Sequence, residues 1–139
     1  MKLLQDNGMR ADMSSVHNRL SMVAQKRAQQ SDDEDNRQQH LAQALQEAKI
    51  AFDLAVELDR EIDTAFAGEQ YIKMCFEQAD VDHKAIADAG EILASPELWA
   101  EVPLSFLRAR VLKWAQGLTQ TQESPHKWAE KLISILSSS

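Results

Sequence analysis

Cysteine, proline, glycine and aromatic residues are all scarce in this chain, and each scarcity removes a class of structure. One cysteine, Cys75, in 139 residues forbids an intrachain disulfide and any paired-cysteine motif. With four glycines and three prolines there is no glycine-rich phosphate loop and no nucleophile elbow. No apolar run approaches the roughly eighteen residues of a membrane span, and the N-terminus lacks the basic start and apolar stretch of a secretory signal. A soluble, cytoplasmic protein is expected. Tyr71, Ile72 and Phe76 flank Cys75 in sequence, which assigns the thiol to a core, where free cysteine behaves as a small hydrophobe.

What remains is a helical composition. Ala, Leu, Gln, Glu and Lys dominate, the residues a helix accepts at least cost. The stretch Ser31 to Gly68 organises the rest. It has no proline, no glycine before Gly68, and one stripe of Leu41, Leu45, Ala48, Phe52, Ala55, Leu58, Ile62 and Phe66 at steps of three or four. Ser31 with Glu34 fits a capping box, Asp32 to Asp35 crowd the first turn, and Gly68 supplies a stop. One helix of roughly 54 Å is expected at ~1.5 Å per residue. Ile50, Ala51, Leu54 and Val56 widen its apolar face beyond what one thin partner helix covers.

Upstream, residues 1–11 read as a flexible lead-in around the turn dipeptide Asn7-Gly8. A first helix is expected from Asp12 to about Gln29, with Met13, Val16, Leu20 and Val23 as its apolar stripe. Residues 29–33 hold no true breaker. The acidic cluster suits a helix N-terminus and opposes a C-terminus, so the break is placed at Ser31. Downstream the elements shorten: Glu69 to Ala79, then Asp82 to Ala94 after an Asp80–Asp82 break. Ser95-Pro96 starts a brief helix. A further helix runs from Pro103 to Gln116, ended by Gly117, and a last one opens at Ser124-Pro125. The shared Ser-Pro-x-x-Trp at residues 95–99 and 124–128 is a helix-start sequence used twice.

Charge is segregated. The net −7 resolves into +3 over residues 1–30, −8 over 31–70, −5 over 71–102 and +3 over 103–139. Overall acidity opposes general phosphate-backbone binding, while basic ends suit an acidic partner, including a second copy of the chain.

Motifs that carry chemistry are weak. Residues 80–91 superficially resemble a calcium loop, but Lys84 and Ala85 stand where an oxygen ligand and the turn glycine belong. Glu123 and His126 have Glu-x-x-His spacing, in one copy and at a helix entry. The four histidines, His17, His40, His83 and His126, fall on separate elements without metal-ligand spacing. Arg108, Arg110 and Lys113 form a basic strip, although Arg108 and Arg110 fall on opposite sides of the inward face.

The sequence therefore predicts an all-α fold, a long helical hairpin (residues 12–67) followed by a compact bundle of short helices (69–137), in a single domain spanning 1–139. The expected function is a non-enzymatic protein interaction module, an adaptor, chaperone-like binder or regulator, homodimeric through the long helix. Leu41, Leu45, Phe52, Leu54 and Ile62 are the expected contact residues, with Trp99 between two prolines as an exposed aromatic anchor. A nucleic-acid-associated regulator using Arg108, Arg110 and Lys113 is the first alternative, and a small-ligand or metal-binding helical protein the second. No cofactor, no metal and no membrane partner is expected.

Overall fold

A computed structural model of the chain describes the backbone of residues 2–78, 80–102, 105–121 and 127–137, with side chains described for all of these except 2–11, 105 and 121. The expected kink at Pro103, the Ser124-Pro125 helix start and the Glu123/His126 pair lie outside the described residues. Seven helices are present, and no strand among the described residues: α1 (Lys2–Gln30), α2 (Glu34–Glu57), α3 (Glu61–Glu77), α4 (His83–Leu93), α5 (Pro96–Ala100), α6 (Ser105–Thr121) and α7 (Lys127–Ser137). The fold is all-α, a long hairpin followed by short helices. The chain divides into two compact units, Met1–Asp82 and His83–Ser139.

The break near Ser31 is real, but its chemistry differs from the expected capping box. Asp33 is the N-cap of α2, its carboxylate accepting from the Asp35 N–H at 3.1 Å. Ser31 Oγ instead donates to the Asp33 carbonyl at 3.2 Å. Glu34 does not reach back; it accepts from Gln38 at 2.8 Å, one turn on. Two expected boundaries move for the same reason. Helix α1 begins at Lys2 and runs through Asn7-Gly8, and α3 runs through Gly68 to Glu77. A lone glycine in a helix costs only about 1 kcal/mol against alanine, which neighbouring turns absorb.

The expected single rod from Ser31 to Ala67 is two helices. Between them Asp59 has φ of 52°, the one positive φ at a non-glycine residue among those described. The Asp59 N–H donates to the Val56 carbonyl at 3.2 Å and the Arg60 N–H to the Ala55 carbonyl at 2.9 Å. This pair of bonds is a Schellman motif, which satisfies the last carbonyls of α2 and turns the chain. Aspartate is among the few non-glycine residues that occupy this backbone region, so no glycine marks the stop. The restart is marked, by Glu61 and Asp63 in the first turn of α3.

Within the first unit, α1, α2 and α3 pack on one another. Helices α1 and α2 meet antiparallel along a seam of small residues: Ser14, Ser21, Ala24 and Ala28 on α1, and Ala44, Ala48, Ala51 and Ala55 on α2, all buried. Ser14 Oγ donates to the Ala51 carbonyl at 2.8 Å and Ser21 Oγ to the Ala44 carbonyl at 2.6 Å. Seven residues separate the donors and seven the acceptors, in opposite directions, which fixes the register. A serine reaches a neighbouring helix's backbone only when the axes are close, at the short end of the usual ~8–10 Å. His17 pairs with Glu47 beside this seam.

The other face of α2 packs on α3, where the Phe52 and Tyr71 rings stack at 5.7 Å. Gln70 ties α3 to α1, its Nε2 donating to Gln25 Oε1 at 3.0 Å and to Ser21 Oγ at 3.2 Å. Gln78 Nε2 donates to the Leu41 carbonyl at 3.2 Å.

In the second unit α7 is the hub, packing on α4, α5 and α6. Trp128, Leu132 and Leu136 are its buried stripe. The Trp128 indole lies against the backbone of α4 at Gly90, where an added Cβ would stand 2.2 Å from Cδ2. Gly117, expected to end α6, lies inside it with open space around its Cα, and the helix continues to Thr121. Ser95 precedes α5, with Pro96 in the first turn as expected, but its hydroxyl donates to the Glu97 carboxylate at 2.8 Å in place of a backbone cap.

These placements set the signs of three substitutions. Asp59→Gly relieves the left-handed backbone and raises stability by about 0.5–1 kcal/mol. Gly117→Ala gains about 0.5–1 kcal/mol, whereas Gly90→Ala drives a methyl into Trp128 and costs about 1–3 kcal/mol. Urea unfolding of each variant checks the order.

Candidate functional site

The expected contact residues are largely interior. Leu41 and Phe52 are buried on α2, Leu45, Leu54 and Ile62 are half-buried, and Trp99 is 1% exposed. Trp99 is held on both sides. Its Nε1 donates to the Leu93 carbonyl at 2.6 Å, and the Arg108 guanidinium lies 6.0 Å from its ring centroid. Arg108 Nη1 donates to the Trp99 carbonyl at 2.7 Å and the Val102 carbonyl at 3.3 Å, closing the C-terminal end of α5. A tryptophan on a one-turn helix is thus enclosed by an arginine eight residues beyond that helix's end. The same contacts turn Arg108 away from the basic strip and leave Arg110 and Lys113 exposed without it.

Among the described residues, the longest run of exposed apolar side chains in register lies on α1. Because the small-residue seam claims one face of that helix, the stripe expected to point inward points out. Met13, Val16, Leu20 and Val23 are 46%, 46%, 42% and 47% exposed. At ~100° per residue they fall within an arc of about 80°, adjoining the Ser14-Ser21-Ala28 line that faces α2. Arg27 continues the stripe one turn on, and Asp12, Arg19 and Lys26 line its outer edge, all exposed. Met22 on another side of α1, Val56 on α2, Ile92 on α4 and Phe106 on α6 are 46%, 37%, 39% and 62% exposed, each outside this stripe. Four apolar residues in register over three turns form a face.

Sequence reasoning found these four residues and gave them the wrong direction. The signal that corrects it is also in the sequence: serine or alanine at 14, 21 and 28, seven apart, matched by alanines at 44, 48, 51 and 55. Two helices that share such a seam approach through it, and their bulkier residues are left to its flanks.

The remaining reactive groups are enclosed. Cys75 is buried on α3; burial pushes its thiol up to about 11, with the nearby Asp82 carboxylate acting in the same direction and a Tyr71 hydrogen bond opposing. Burial raises the Tyr71 hydroxyl to about 12. Glu69, 1% exposed, is paired with Lys73 at 2.8 Å along α3. Among the described residues no group of three or more His, Cys, Asp or Glu is placed to hold a metal ion, and no helix is long and apolar enough to cross a membrane. Comparison of the chain with protein-family models, curated proteins and solved structures finds no match.

The raised thiol and phenol give a pH prediction. Both are acids kept protonated by the folded state, so between their unfolded and folded values the unfolded chain holds fewer protons and stability falls as pH rises. The contribution of these two groups is complete below pH 9 and declines from pH 9 towards about 11 and beyond. Urea midpoints measured across this range test it, and Cys75→Ala removes the part that begins at pH 9 and reduces the Tyr71 part, which Cys75 helps to raise.

Proposed function

We propose that this chain is a non-enzymatic helical interaction module of the adaptor type, and that it docks through the outward face of α1. The occupant of that face is a single α-helix presenting an apolar seam of the same three-four spacing. The observation that carries this is the Met13-Val16-Leu20-Val23 stripe, almost half exposed along a helix whose adjoining face is already committed to α2. Covering each of these side chains returns about 1 kcal/mol, enough in sum for a reversible contact. Their spacing of three, four and three residues is the seam one helix offers another. The rim bears charge of both signs, which orients a docking helix more than it tightens it.

This reading replaces the long helix by the first helix as the docking element. Leu41 and Phe52 hold the unit together, and Leu20 and Val16 meet the partner. The test uses a synthetic helical peptide with leucines at alternating three- and four-residue steps and an uncharged outer face. It binds with a dissociation constant on the order of micromolar. Leu20→Asp weakens binding at least about tenfold with the melting temperature unchanged, whereas Phe52→Asp unfolds the unit. A peptide that fails to bind, or binds Leu20→Asp equally well, overturns the proposal.

A further inference from the structure

We infer that the helix received by α1 is α1 of a second copy, laid antiparallel about a twofold axis near residue 18. This rests on the docking face described above and names its occupant. The stripe is its own complement. Met13, Val16, Leu20 and Val23 are spaced symmetrically about position 18, so reversing the helix places Met13 against Val23 of the second copy and Val16 against Leu20, with the same contacts repeated across the axis. An isologous contact demands this: each residue meets a partner that meets it in return. In heptad terms the four occupy alternating seam positions, and an antiparallel pair sets one type against the other, as the spacing does here.

The charges on the outer edge agree with this register. Asp12, Arg19 and Lys26 follow one another at seven-residue steps along one side of the stripe. In the antiparallel pair Asp12 faces Lys26 of the second copy and Lys26 faces Asp12, while Arg19 sits beside its own counterpart at the axis. A parallel pair aligned in register brings neither attraction, because these edge positions then face the inner edge of the seam, held by His17 and Ala24. The two outer ion pairs favour the antiparallel arrangement, and the central arginine pair opposes tight closure. A seam of three turns is also short for a stable interface, which buries about 1,200–2,000 Å² in total. The dimer is therefore weak, with a dissociation constant on the order of micromolar, and loosens as salt screens its outer pairs.

The experiment is light scattering and sedimentation of the full chain across concentration, combined with cysteine cross-linking. Mixing Val16→Cys with Leu20→Cys protein gives a mixed disulfide under mild oxidation in preference to either self-pair, and Cys75, buried, stays out of the reaction. Lys26→Glu weakens the dimer about two- to fivefold, Lys26→Glu with Asp12→Lys restores it, and Arg19→Gln tightens it. Preferential self-pairs of Val16→Cys or Leu20→Cys overturn the antiparallel register. A dimer indifferent to Leu20→Asp overturns the surface. A chain that stays monomeric at all concentrations while still binding the leucine-seam peptide overturns self-pairing and leaves the docking reading in place. Monomer that sediments instead with anionic phospholipid vesicles, in a manner abolished by Leu20→Asp, overturns it in favour of a membrane surface.

Discussion

The close approach of α1 to α2 is the constraint from which the rest of the first unit follows. Two serines bonded to backbone carbonyls across the gap require the helices nearly in backbone contact, and only alanine and serine leave room for that. A seam of this kind buries little apolar volume per residue. Its stability comes from dense packing along its length and from hydroxyls that satisfy themselves on carbonyl oxygens already in use within α2. Large side chains then have to go elsewhere. On α2 they go to α3, where Phe52 stacks on Tyr71. On α1, Met13, Val16, Leu20 and Val23 meet solvent.

The same geometry places the polar core. Gln70 lies where three helices converge and bonds to Ser21 and Gln25 of α1, while Gln25 Nε2 donates to Glu77 at 3.3 Å. Side chains of this kind fix which face of α3 is presented, because a rotation of one position would leave amides buried without acceptors. The break at Asp59 serves the same end. A helix running unbroken past Leu58 would carry Thr64, Ala65 and Ile72 away from the hairpin, and the Schellman turn brings them back onto it.

The second unit is built by different means, large aromatic residues seated against small ones. Trp128 packs into the space left by Gly90 and lies 6.2 Å from Trp114, and Trp99 is enclosed by Leu93, Val102 and Arg108. Arg108 closes a helix end and covers an indole with one side chain. Its Nη1 donates to two carbonyls at once, and its face suits the ring.

Much of this was legible in the chain itself. Scarce glycine and proline and the three-four apolar periodicity determine an all-α fold, the acidic cluster after Gln30 determines the hairpin turn, and Asp80–Asp82 and Ser95-Pro96 mark later breaks close to where they occur. Those are local matters, set by backbone propensity and by the preference of carboxylates for helix N-termini. The end of α2 was not legible, because its left-handed residue is Asp59, which resembles an ordinary polar helix position until two carbonyls are seen to turn towards it. Nor was the burial of Trp99, which depends on Arg108 arriving from the next helix. Which face of α1 is inward is marked in the sequence by the Ser and Ala line but decided in tertiary packing: a stripe of Met, Val and Leu and that line compete for the same neighbour, and the line that permits the shorter distance between helices takes it.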